Sequence, residues 1–231
     1  MWYENLPVGS AWSALWHDYI LCPNCWGIRR SEGPCVACDA APYSGEPTTV
    51  HIDGREIVVS ATFAGAEGRF QDYIYLQMLQ REWERPAPEF EKFAGYSQEE
   101  RPSARAALVL LFWTYFETRI ERLLQGSMRD LPESVRNELL DRHSGIGQRL
   151  YRLYKIIHNS TYFDDLSEHG FQDIADLLIS IHERRTQFAH GNPQAIDDST
   201  VTTLVESLKR EHEAWITVFN RRATLSAKRR A

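Results

Sequence analysis

Cysteine is scarce in this chain: only four occur in 231 residues, and all four fall between positions 22 and 38. That confines any cross-link or metal site to one short segment, and it leaves no thiol elsewhere to act as a nucleophile. Long apolar runs are absent too, since none approaches the roughly 20 residues that a membrane-spanning helix needs. There is no glycine-rich phosphate loop, no Gly-x-Ser-x-Gly elbow and no His-Glu-x-x-His zinc helix. Internal repeats and low-complexity segments are likewise missing. Met1-Trp-Tyr-Glu-Asn5 carries neither a basic leader nor a short apolar core, which points to a cytoplasmic protein without a membrane segment.

What is present is an ordinary globular composition, with 43% hydrophobic residues and 12% aromatics. A chain of this length can bury a sizeable core. The net charge of −6 is unevenly spread. Residues 1–60 carry 3 basic and 7 acidic side chains, whereas residues 221–231 carry 5 basic and none acidic. A surface that is acidic overall does not attract nucleic acid, so any phosphate must be met by a local basic site. Two stretches qualify, residues 181–193 and the tail with Arg221, Arg222, Lys228, Arg229 and Arg230, for which a solvated terminus is the alternative.

The strongest local pattern is Cys22-Pro-Asn-Cys25 followed by Cys35-Val-Ala-Cys38. Each Cys-x2-Cys knuckle can set two thiolates on one tetrahedral ion, and four close its shell. We therefore expect one structural Zn2+ per chain, held by Cys22, Cys25, Cys35 and Cys38. Two disulfides are the alternative, which a reducing compartment disfavours. The pattern resembles a zinc ribbon. Thr48–Ile52 and Glu56–Ser60, around Asp53-Gly54, read as an accompanying β-hairpin. Trp2, Tyr3, Trp12, Trp16 and Tyr19 make the start aromatic, with the last three at helical spacing and suited to packing. Residues 1–62 thus form a small four-cysteine module of the zinc-ribbon kind. Its acidic balance, deepened by the thiolates, favours folding, dimer formation or protein contact over gripping phosphate.

From about residue 66 the periodicity becomes helical, giving a mainly α fold with a helical domain over 66–225 and a basic tail over 221–231. Ala66–Glu84 reads as a helix stopped by Pro86 and Pro88. Ala104 to Leu124 contains no breaker and is apolar on nearly all sides, so that helix is central or lies in a subunit interface. Glu117 falls on its stripe of Val109, Trp113, Phe116, Ile120 and Leu124. It needs a partner there, unless it is an ordinary surface carboxylate paired with the Arg119–Arg122 region. Leu131–Arg142 and Gln148–Asn159 read as shorter helices. A last helix begins with Asp197, Asp198 and Ser199 and buries Val201, Leu204, Val205, Leu208, Trp215, Ile216 and Phe219, with His212 on the same face.

The stretch Ile181-His-Glu-Arg-Arg-Thr-Gln-Phe-Ala-His-Gly-Asn-Pro193 departs from this scaffolding. On a helix, Phe171, Ile174, Leu177, Leu178, Ile181 and Phe188 share one stripe, with Arg185 near its centre and Arg184 at its edge. A guanidinium keeps its proton, so an arginine on a buried seam requires an acidic partner, an anionic ligand or another subunit. Gly191, Asn192 and Pro193 end the helix, leaving His190 at its last turn. The bend there would let His190 and Arg185 converge on one anion.

Arg185-Thr-Gln-Phe-Ala-His190-Gly191, at the end of a helix in an all-helical domain, resembles the Arg-x4-6-His motif of the HEPN superfamily of ribonucleases. Glu117 is similar to an acidic residue that many of these domains carry. The resemblance covers roughly residues 100–220. Many members have Asn or another strongly polar residue after the arginine, where this chain has Thr186, and Arg184 is the alternative motif arginine. The resemblance implies a HEPN-like helical bundle that acts as a metal-independent endoribonuclease, with a site composed across a homodimer. Arg185 and His190 would be catalytic, supported by Arg184, Glu117, Thr186 and Asn192. Its setting would be that of a toxin or antiphage-defence effector with RNA as substrate and a cognate antitoxin or defence protein as partner. Two other readings are a non-catalytic HEPN-like module that binds RNA or protein, and a helical adaptor whose zinc ribbon carries the interaction.

Overall fold

The computed structural model describes residues 19–22, 25, 27–30, 34–40, 48–52, 55–59, 75, 76, 78–86 and 102–224. Two antiparallel ladders come first. Strand β1 (Tyr19–Leu21) pairs with β2 (Ile28–Arg30), and β3 (Thr48–Ile52) pairs with β4 (Arg55–Val59) with Thr48 opposite Val59. The hairpin expected around Asp53-Gly54 therefore forms, one residue earlier on its second strand. Tyr19 opens a strand and does not extend a helix, while Trp2, Tyr3, Trp12 and Trp16 lie outside the described residues. Of the helix expected over Ala66–Glu84, the described part from 75 to 84 is helical and stops before Pro86.

The remainder is helical: α1 (Ala106–Ser127), α2 (Glu133–Arg142), α3 (Ile146–Gln148), a π-helical turn (Arg149–Leu153), α4 (Tyr154–His158), α5 (Tyr162–Glu168), α6 (Gln172–Ala189), a 3-10 turn (Pro193–Ala195) and α7 (Asp198–Arg222). Among the described residues, none of these helices is long and apolar enough to cross a membrane. Helix α5 has a capping box: Thr161 accepts from the Asp164 N–H, and Asp164 accepts from the Thr161 N–H. Asn159, in the left-handed region at φ 56°, closes α4. Asp197 starts α7 by accepting from both the N–H and the hydroxyl of Thr200, each at 2.7 Å. This helix takes in Arg221 and Arg222, so the basic tail begins later than its charge pattern suggests.

Helix α1 is central because it is apolar nearly all round. Leu108, Val109, Phe112, Trp113, Tyr115, Phe116, Ile120, Leu123 and Leu124 are all buried. It packs against α7, whose Val201, Leu204, Val205, Leu208, Trp215, Ile216 and Phe219 are buried as expected, and against α6. Between α1 and α7 lies an ion pair that the sequence pattern does not announce. Arg119 Nη2 donates to Glu211 Oε1 at 2.6 Å, and both side chains are sealed from solvent. The guanidinium lies over the Tyr115 ring at 4.0 Å and the Trp215 ring at 5.3 Å. Burial by itself would weaken its hold on the proton, but Glu211 opposite outweighs that and shifts Arg119 further toward the charged form. Arg119 Nε and Nη1 and the Tyr162 hydroxyl find no acceptor or donor among the described residues, so this polar knot is incompletely satisfied.

A second knot ties the end of α7 to α5. Arg222 Nε donates to Asp165 Oδ2 at 2.6 Å, the Tyr154 hydroxyl donates to the same oxygen, and Ser160 Oγ donates to Oδ1 at 3.0 Å. Burial would raise the Asp165 carboxyl, but the hydrogen bonds from Arg222 and Tyr154 hold it below the usual carboxylate range. Arg222 is thus tied into the fold through Asp165. Beside it, Ser127 Oγ donates to Leu123 O at 2.8 Å, so His158 Nε2 is the donor in its 3.1 Å bond to Ser127. Burial, aided by the Arg222 charge, pushes the His158 imidazole down to about 4 from its ordinary 6.5.

Two outcomes are expected. Glu211→Gln strands the Arg119 charge and lowers the unfolding free energy in urea by about 3–5 kcal/mol, whereas Arg119→Met with Glu211→Leu costs less than either single change. A single variant as mild as a surface substitution would contradict the ionic pairing. His158 is held neutral in the fold, so its contribution is present above pH 6.5 and is lost as pH falls toward about 4. The melting temperature should drop between pH 7 and pH 5, and the drop should be smaller in His158→Gln.

Candidate functional site

The four cysteines come together. Cys22 and Cys38 have their sulfurs 3.8 Å apart, as do Cys25 and Cys35, and all four sulfurs lie within 4.8 Å of one another, so they can hold one metal ion. No disulfide joins them. Both knuckles close alike, with Cys22 N–H donating to Gly27 O at 2.7 Å and Cys35 N–H donating to Ala40 O at 2.9 Å. The Gly27 N–H also points at Cys25 Sγ, 3.4 Å away. Burial pushes the Cys25 and Cys35 thiols up. Among the described residues this is the one group of three or more Cys, His, Asp or Glu side chains placed to hold a metal.

The cysteine module is docked onto the helical domain by Asn220 of α7. Its amide accepts from the Ile28 N–H and donates to the Ile28 carbonyl, both at 2.6 Å, as a neighbouring strand would. Ile28 is buried in the main core. A side chain at Gly27 would bring its Cβ to 2.9 Å from Thr224 Cγ2 and 3.0 Å from Asn220 Oδ1, so the close approach needs glycine.

The second candidate lies at the end of α6. Gly191 adopts φ 92°, its N–H donates to Phe188 O and the Asn192 N–H donates to Gln187 O, which makes a Schellman stop. The stop follows His190 by one residue. His190 still donates its N–H to Thr186 O, so its side chain leaves the axis about 140° around from Arg185, at about 100° per residue. The chain turns only after His190, so the two residues leave the axis in directions set by the helix itself.

Arg185 continues the buried stripe of Ile174, Leu178 and Ile181, and it is half-buried. Among the described residues it makes no hydrogen bond or ion pair. Arg184 behaves differently, since its Nη1 donates to Ala195 O at 3.0 Å and meets Asp197 Oδ2 at 3.4 Å. It fastens α6 to the start of α7. The Thr186 hydroxyl is spent on His182 O, 2.7 Å away. Asn192 and His190 are exposed.

Glu117 is half-buried and, among the described residues, holds no arginine. Its Oε1 accepts from the Trp113 indole N–H at 2.6 Å, a pairing of neighbours at i and i+4. Nor does it pair with Arg119, which turns inward to Glu211. On the other face of this Trp113 unit sits a histidine that sequence reasoning passes over. The His182 ring stacks on Trp113 with centroids 5.0 Å apart and planes 27° apart. A signal for it exists, because His182 lies one turn before Arg185 and toward the same side of α6.

No family model, curated protein or solved structure matches this chain. The geometry above is therefore what a functional reading rests on. For the docking contact, Gly27→Ala should destabilise the protein by about 1–3 kcal/mol in thermal or urea unfolding. Unchanged stability would show that the module is not seated on α7 as described.

Proposed function

We propose that the helical domain is a metal-independent endoribonuclease of the HEPN type, built as a homodimer in which Arg185 and His190 of two copies line one cleft. The observation that carries this reading is Arg185 itself. A cation at the centre of an apolar stripe, with no carboxylate partner among the described residues, calls for an anion from outside the chain. A phosphodiester supplies one, and its cleavage by the adjacent ribose 2′-hydroxyl uses the same residue types. Arg185 offers a permanent charge to the phosphorane-like transition state, and His190 offers an imidazole that can give or take a proton. The angle of about 140° between them favours a site in which each copy contributes to the other's cleft. Symmetric pairing would also concentrate basic charge on an acidic protein.

Arg184 enters the proposal as a support that positions the helix end through Asp197, and Thr186 as a brace along α6. Glu117 supports it through Trp113. Asn192 lies beside His190 at the exposed rim. The setting we favour is a toxin or antiphage-defence effector restrained by a cognate partner protein.

For the cysteines we propose one structural Zn2+ per chain. Four sulfurs bound at about 2.3 Å around a tetrahedral ion stand about 3.8 Å apart, which agrees with the two sulfur pairs and with buried, unlinked thiols. A closed thiolate shell leaves no position for a reacting water, so its part is to hold β1, β2 and the contact with Asn220.

The test is incubation of purified protein with total RNA in EDTA, beside Arg185→Ala and His190→Ala, with folding followed by circular dichroism because chelation also strips a structural zinc. We expect cleavage that survives the chelator in folded protein and falls by at least about 100-fold in either variant. Cleavage that vanishes only on metal removal would defeat the mechanism. RNA binding without cleavage would establish the non-catalytic module instead.

A further inference from the structure

We infer that His182 is a second proton-transfer group of this site, the general base to the general acid His190, an assignment that rests on the ribonuclease reading. Transesterification moves two protons, one off the attacking 2′-hydroxyl and one onto the leaving 5′-oxygen. Within one chain His190 supplies only one of these two proton transfers, and His182, on the same helix, is the imidazole that can supply the other. Around the α6 axis, at about 100° per residue, His182 lies about 60° from Arg185 and His190 about 140° in the same sense. The arginine and both imidazoles thus span one arc, with Thr186 between the histidines.

The position of His182 is fixed from outside its own helix. Its ring is stacked on the buried Trp113 indole, and that indole is held in turn by its 2.6 Å hydrogen bond to Glu117. His182 is half-buried, as is Arg185 three residues on, so neither side chain is sealed inside the core. Residues three apart on a helix place their Cβ atoms about 5–6 Å apart, close enough for one phosphodiester to meet both side chains. The charged groups nearest His182 by connectivity are Glu117, which shares Trp113 with it, and Arg185, three residues on along α6. Glu183 and the Arg184–Asp197 pair leave the helix on other sides. Glu117 thereby gains a role without touching an arginine: it positions Trp113, and through it the base.

The step balances without a further reactant. Neutral His182 accepts the 2′-hydroxyl proton as the O2′–P bond forms. The imidazolium of His190, from the same chain or its partner, gives a proton to O5′ as the P–O5′ bond breaks, while Arg185 bears the charge on the non-bridging oxygens. The products are a 2′,3′-cyclic phosphate and a 5′-hydroxyl.

The experiment is the pH–rate profile of RNA cleavage by the full chain in EDTA, for wild type, His182→Phe and His190→Ala. Phenylalanine keeps the stacking on Trp113, and His182→Gln serves if His182→Phe lowers the melting temperature. Wild type should give a bell. His182→Phe should lower kcat at least about 100-fold and remove the acidic limb, and His190→Ala should remove the alkaline limb. Both limbs intact in the His182 variants would overturn the assignment. A binding arm separates this failure from that of the underlying reading. A mixed-sequence 2′-O-methyl RNA, which cannot be cleaved, should shift the His182 ring-proton resonance in NMR spectra. Binding that leaves His182 unmoved overturns the base assignment alone, whereas wild-type protein that binds but never cleaves, with His182 shifted, defeats the ribonuclease reading and leaves His182 as an anion contact.

Discussion

The buried contact between Arg119 and Glu211 is the constraint around which the helical domain is arranged. A guanidinium cannot be neutralised at ordinary pH, so once Arg119 is inside, its edge must meet an acid and its faces must meet rings. Glu211, Tyr115 and Trp215 answer both needs and thereby set how α1 and α7 face each other. Buried pairs of this kind add little net stability but penalise alternatives heavily. Helix α6 then packs onto a defined α1 surface, which is what places Trp113 and Glu117 beneath His182. The cysteine module depends on the same frame at its other end, through Asn220 on α7.

Much of the framework is legible in the residues. Both Cys-x2-Cys pairs, the β3–β4 pairing, the Asp197 cap, the buried face of α7 and the stop at Gly191 follow from local chemistry that a sequence displays directly. Each depends on neighbours within a few positions. The Arg119 pairing does not, because Glu211 is distant in the chain and neither residue alone specifies the other. A cue is still present: Arg119 continues the Phe112, Tyr115 and Phe116 side of α1, as Arg185 continues its own stripe. Both arginines therefore demand a counter-charge, and among the described residues only Arg119 has one.

The candidate site is legible in composition and less so in geometry. Arg185 is identifiable because a charge on an apolar stripe is conspicuous. The stripe favours it over Arg184, and the contacts of Arg184 with Asp197 and Ala195 add a reason that the sequence does not display. His190 is drawn in by its spacing, and the Schellman turn begins only after it. Glu117 reads as a carboxylate that holds an arginine, and its neighbour four residues earlier, Trp113, claims it instead. Arg222 shows the reverse case, a basic residue that reads as a tail and is a half-buried strut on Asp165.

Everything proposed for the site stands on one cation, Arg185, which has no internal counter-charge among the described residues. Fluorescence anisotropy of a labelled 2′-O-methyl RNA, titrated with wild-type protein and with Arg185→Gln at matched melting temperature and fixed salt, addresses that most directly. Loss of a desolvated phosphate contact should weaken binding by at least about tenfold, equivalent to about 1.4 kcal/mol. Equal affinity of the two proteins would show that Arg185 meets no phosphate, and the site described here would not exist.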